Sequence, residues 1–254
     1  MNARLISAEL LRIRRNRPLV IWSLVLTAGA VTAFFLIAQG FHWNDPAHNG
    51  PAGGADNFRH PLMILSIVGS VAAAIVGTSV GVSDLTSGVF RDLVVTGKSR
   101  YALFAARVPG MLAFWVPVIL FAFAVAVIFD FAFAGGQTTL TGTQLVKDGL
   151  WVLMVDCIAL IVAMGISSLI GSRGISIGVL LAWQLAVTPL VLNISQLGVT
   201  RELLLTAAAT RVQPFTGGDR NAISMSLGAA VVVLFLWVGV PLLLGGWRTV
   251  TREA

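Results

Sequence analysis

The chain has 254 residues, of which 57% are hydrophobic and 11% charged, and its formal net charge is +6. So few charged groups cannot cover a water-soluble domain of this size, so the chain is solvated by lipid. A positive chain can also bind nucleic acid, but here the basic residues sort by connection, twelve on one set and five on the other, as membrane sidedness requires.

Six apolar runs occupy residues 19–38, 61–82, 108–134, 149–171, 174–197 and 223–246. Each, as a helix, reaches across a hydrocarbon core of about 30 Å. The runs are continuous rather than alternating, which selects helices over barrel strands. The expected fold is an all-α membrane protein, one transmembrane domain over residues 1–254 with six spans. The connections leave no room for a soluble catalytic domain.

Residues 1–17 are amphipathic. At 100° per residue, Leu5, Ile6, Leu10 and Ile13 gather on one side, and Arg4, Ser7, Arg12, Arg14 and Arg15 on the other. Two readings stay open: a basic flap at the membrane surface, or an interfacial helix that touches a partner. Cleavage as a signal peptide is not expected, since the apolar run after it is 20 residues long. The connection at 39–60 is rich in Gly, Pro and Asn and reads as an irregular loop. His42, His48, His60, Asp45 and Asp56 lie in or beside it, at a spacing that matches no tight metal site.

The second span places Gly69, Ala73, Gly77 and Gly81 at every fourth position, giving one smooth helical face for close packing. Ser66, Ser70, Thr78 and Ser79 add hydroxyls, a pattern that also suits a polar pathway. The third span contains Pro109 and Pro117, so a kink is expected. Asp130 lies near its far end, and Asp156 lies in the fourth span. Intramembrane carboxylates are costly and are candidates for a substrate path, although satisfaction by water or a hydroxyl near the interface explains them as well. The fourth and fifth spans share a tight turn at Ser172-Arg173-Gly174 and must be antiparallel neighbours. Gln184, Pro189 and Asn193 interrupt the fifth span, and its amides suit a cavity or a neighbouring helix. Residues 198–221 are too short to span and too apolar for a free loop, which fits short helices at the outer interface. Cys157 is the single cysteine, so there is no disulfide framework. The twelve basic residues of the termini and of the second and fourth connections place both ends of the chain in the cytoplasm.

The connection at 83–107 is the one patterned, charged piece outside the spans. Gly97-Lys98-Ser99 does not make a phosphate-binding loop, because the position five before Gly97 is Asp92 rather than Gly. The segment instead resembles that of ABC-2 type transporter permeases. The matching features are Asp84, Gly88, Arg91-Asp92-Leu93, Thr96-Gly97-Lys98-Ser99-Arg100 and the return through Leu103 to Arg107. That family more often has Glu at the position of Asp84, Pro near Gly97 and Lys at the position of Arg107. The resemblance extends over the full length, from basic N-terminus to outer helices.

The resemblance implies a bacterial inner-membrane exporter subunit that works as a pair, with a second copy or a related permease. It implies no catalysis on this chain. ATP and Mg would sit on separate P-loop ATPase subunits, two per assembly, docked against the N-terminal helix and a coupling helix between spans two and three. The coupling residues would be Asp84, Gly88, Phe90, Arg91, Asp92, Leu93, Thr96, Gly97 and Arg100. Ser66, Ser70, Thr78, Asp130, Asp156, Gln184 and Asn193 are the candidates for the substrate path. The cargo class would be a lipophilic drug, an antimicrobial peptide or a lipid-linked molecule. The competing expectation is a self-sufficient channel or ion-coupled carrier using Asp130 and Asp156. An intramembrane enzyme lacks both a nucleophile dyad and a metal-ligand motif.

Overall fold

The computed structural model describes residues 3–87, 100–214 and 225–251, and for 83–87 and Arg100 the backbone alone. Helix α1 (Ala3–Arg15) carries Arg12, Arg14 and Arg15 in its last turn, where positive charge complements the helix dipole. The first span, α2 (Arg17–Asn44), starts at once. The Asn16 side chain accepts from the Leu19 amide at 3.4 Å, and Pro18 stands in the first turn, where its missing N–H costs nothing. A π turn at Val25–Gly29 interrupts α2. Ser23 and Thr27 hydroxyls donate to carbonyls four residues back, at 2.7 Å each, on either side of its start.

The remaining spans are α3 (Arg59–Ser87), α4 (Arg100–Ala132), α5 (Gly142–Ile170), α6 (Arg173–Asn193) and α8 (Leu227–Thr251). Between α6 and α8 lie a 3-10 segment (Ser195–Leu203) and the short helix α7 (Leu205–Arg211). There is no strand among the described residues, and six helices are long and apolar enough to cross a membrane. Helix α4 continues through Pro109 and Pro117. In α6 the strain ahead of Pro189 appears as a second π turn, Trp183–Val187. A reciprocal Thr141–Gln144 capping box starts α5, and Gly171, at φ +76°, ends it in the left-handed conformation that glycine adopts without penalty.

Helix α5 is the centre of the bundle. It packs most extensively on α3 and next on α8. The small-residue face of α3 is the contact surface: a Cβ added to Gly77 would lie 2.5 Å from the Leu160 carbonyl oxygen and 2.8 Å from Ala163 Cβ. On the opposite side, Gly165 of α5 meets Pro241 of α8 just as closely. Helix α1 packs on the start of α4, where Gly110 leaves room for the Glu9 side chain. Gly246, near the end of α8, lies against Phe104. The start of α1, the last turn of α3, the first turn of α4, the α5–α6 turn and the end of α8 therefore share one end of the bundle, the termini end. The connections at 45–58 and 133–141 and the described residues between α6 and α8 form the other, the loop end.

Candidate functional site

At the termini end, the Gly81 carbonyl of α3 gathers two donors from two other helices. Arg107 Nη1 of α4 donates to it at 3.5 Å and Ser168 Oγ of α5 at 3.2 Å. Arg107 is 2% exposed and its guanidinium stacks 5.7 Å from the Phe104 ring centre. This knot joins the three helices beside the 88–99 connection. Of the expected coupling residues, Gly88, Phe90, Arg91, Asp92, Leu93, Thr96 and Gly97 lie outside the described residues. Asp84 falls within the last turns of α3 and Arg100 is the first residue of α4.

The candidate path residues do not converge on one channel. Ser66, Ser70 and Thr78 turn their hydroxyls back to carbonyls of their own helix, at 2.7–2.9 Å. Ser70 also accepts from Gln184 Nε2, which ties α3 to α6. Asn193 donates to the Pro189 carbonyl at 2.8 Å within its own helix. Asp130 is fully buried, and its Oδ1 accepts the Gly54 N–H at 2.9 Å, so it anchors the 45–58 loop. That loop is strapped down further by Gly53 N–H to the Phe133 carbonyl at 3.0 Å, Ala55 N–H to the Thr138 carbonyl at 2.8 Å, and Ala52 N–H to Gln39 Oε1 at 3.1 Å. The three histidines make local contacts. His42 Nδ1 meets the Asn49 carbonyl at 2.6 Å, His48 the Asp45 carboxylate at 2.8 Å and His60 the Asn57 carbonyl at 3.1 Å.

Asp156 is the exception. It is fully buried, and among the described residues both carboxylate oxygens lack a hydrogen-bond partner. It faces the smooth face of α3: a Cβ on Gly69 would stand 2.5 Å from Oδ1. Small size at position 69 is thus what admits the carboxylate to the α3–α5 seam. The side chain points inside one copy of the chain, towards the residue that precedes the Ser70–Gln184 pair.

Sequence reasoning passed over a polar cavity of about 680 Å³ at the loop end. Its lining includes Arg59, His60, Gln144, Lys147 and Asp148, with Phe58, Leu62 and Leu140 among its apolar walls. The legible signal was the eight-residue spacing of Asp148 and Asp156, which puts both near one face of α5. Arg201 and Arg211, in the described part of the last connection, also find partners. Arg201 Nη1 donates to the Leu192 carbonyl at 3.1 Å and Arg211 Nε to the Met225 carbonyl at 2.6 Å. Trp151 and Trp237 indoles clamp the same region, donating to the Ala209 and Leu203 carbonyls at 2.9 and 2.8 Å.

Neither the protein-family models nor the curated proteins give a match to this chain.

Proposed function

We propose that this chain is the membrane subunit of an ATP-driven exporter of the ABC-2 type, moving a lipophilic or amphipathic cargo and driven by separate ATPase subunits at residues 83–107. The six apolar helices make it a multi-pass membrane protein with the character of a transporter. The observation that carries the finer reading is the length of α3 and α4. With 29 and 33 residues they measure about 44 and 50 Å, against a hydrocarbon core of about 30 Å. They flank the 88–99 connection, so their excess length gives that connection a stem. Helix α1 lies against the start of α4, and the Gly81–Arg107–Ser168 knot links the stem to α5. A force applied at 88–99 has a route into three helices at once.

On this reading the termini and the 88–99 connection are cytoplasmic in a bacterial inner membrane, and two permeases share a pathway. ATP and Mg are bound by the partner subunits. The test is co-expression with a P-loop ATPase subunit and reconstitution of the purified complex. Truncating Phe90 and Leu93 together to Ala should leave the chain folded and uncouple ATP hydrolysis from export, because apolar anchors dominate small interfaces. Wild-type ATPase binding, hydrolysis and export in that double variant would overturn the coupling role.

A further inference from the structure

We propose that the cavity at the loop end is a binding site for an aminophospholipid headgroup, with Asp148 receiving the ammonium and Arg59 and Lys147 the phosphate. The site stands independently of the export reading, since it is measured on this chain alone.

The argument begins with Asp148. Its residue is 6% exposed, yet it lines the cavity, and among the described residues its carboxylate has no hydrogen bond or ion pair. A carboxylate that faces a cavity with no protein donor can take a charged donor from a ligand, and a primary ammonium offers three N–H groups in a compact volume. Lys147 and Arg59 line the same cavity, are exposed, and have no ionic partner of their own among the described residues. The neighbouring polar groups are already engaged. Gln144 closes the α5 capping box, His60 meets the Asn57 carbonyl, and Asn57 donates to the Pro51 and Gly53 carbonyls. What remains is the buried Asp148 carboxylate, the exposed Asp56 carboxylate that also lines the cavity, and two cations, set over Phe58, Leu62 and Leu140, which are 1%, 0% and 7% exposed. That complement fits a zwitterion with a short methylene bridge.

Position selects the lipid. The cavity lies at the first residues of α3 and the second turn of α5, where those spans leave the apolar layer. Headgroups occupy that depth. A choline headgroup carries the same charge but no N–H, so it cannot satisfy Asp148. A glycerol headgroup carries no positive charge.

The experiment uses the full chain in detergent and follows its thermal melting as short-chain phosphatidylethanolamine, phosphatidylcholine, phosphatidylglycerol or soluble phosphoethanolamine is added. Phosphatidylethanolamine should stabilise at about tenfold lower concentration than phosphatidylcholine, the size expected for charge-assisted hydrogen bonds. Asp148→Asn should abolish that preference. Should Asp148→Asn fail to fold, the double variant Arg59→Gln/Lys147→Gln, at exposed positions, should weaken phosphatidylethanolamine binding about tenfold. Equal midpoints for the ethanolamine and choline lipids would overturn the proposal, as would a preference that survives Asp148→Asn or undiminished binding by the double variant. Phosphoethanolamine binding as tightly as the lipid would assign the site to a soluble zwitterion and overturn the lipid assignment.

Discussion

Two helices of this protein carry small residues at every fourth position, and they use them in opposite ways. In α3, Gly69, Gly77 and Gly81 lie against the backbone and side chains of α5, and Ala73 between them is fully buried. In α6, Gly174, Gly178, Ala182 and Ala186 repeat the spacing, but all four are exposed, and a Cβ added to either glycine would meet nothing within 4 Å. Burial agrees: 56% of the most apolar stretch of α3 is buried inside the protein, against 17% of that of α6. A small-residue repeat therefore marks where a helix permits close approach, and the rest of the fold decides whether anything approaches.

The sharpest way to break the comparison is a large side chain in each stripe. Gly77→Leu would force its new atoms into the Leu160 carbonyl and Ala163, and should cost about 3 kcal/mol or prevent folding. Thermal melting and the yield of monodisperse protein in detergent would register it. If Gly77→Leu melts like the wild type, the α3–α5 seam is not packed as described.

A smaller loss is expected away from both stripes, at Asp130. Replacing it by Ala leaves the Gly54 N–H without its carboxylate acceptor and should cost about 2 kcal/mol. Limited proteolysis should then cut within 45–58 faster than in the wild type, while Asp130→Asn, which keeps an acceptor oxygen, should cut at nearly the wild-type rate. Equal cleavage in all three proteins would remove Asp130 as the anchor of the loop. The smallest effect belongs to the open stripe. Gly178→Ala adds a methyl to empty space and should change melting by less than about 0.5 kcal/mol or raise it slightly, since alanine is the better helix former. A large destabilisation there would mean that the stripe of α6 is covered.

Much of this architecture is legible in the sequence, and the reason is solvent. Six uninterrupted apolar runs have one sensible fate in lipid, and the fourfold spacing in α3 announces a packed face. Helix limits are less legible, because hydropathy reports on lipid whereas helices end at caps. Helix α5 begins at Gly142, seven residues before its apolar run, because Thr141 and Gln144 cap it there. Helix α2 persists through Gln39 to Asn44, where apart from Gly40 the residues are polar or aromatic but the backbone ladder continues. The candidate site was less legible still. Asp130 reads as an intramembrane acid until its partner, 76 residues earlier in the chain, is seen to be a loop amide. The loop-end cavity draws its lining from α3, α5, the segments before them and Pro214 after α7, and no local window contains that set.

The strapping of the 45–58 loop also has a consequence for how the protein is made. The acceptors that hold Gly53, Gly54 and Ala55 are supplied by Phe133, Asp130 and Thr138, which the ribosome adds only after α3 and nearly all of α4. A nascent chain bearing only the first two spans therefore has a loop held to the first span by Gln39, whose other fastenings have not yet been synthesised. Closure of that end waits for the third span to arrive, which makes the first three spans a single unit of membrane assembly and the α2–α3 hairpin an incomplete one.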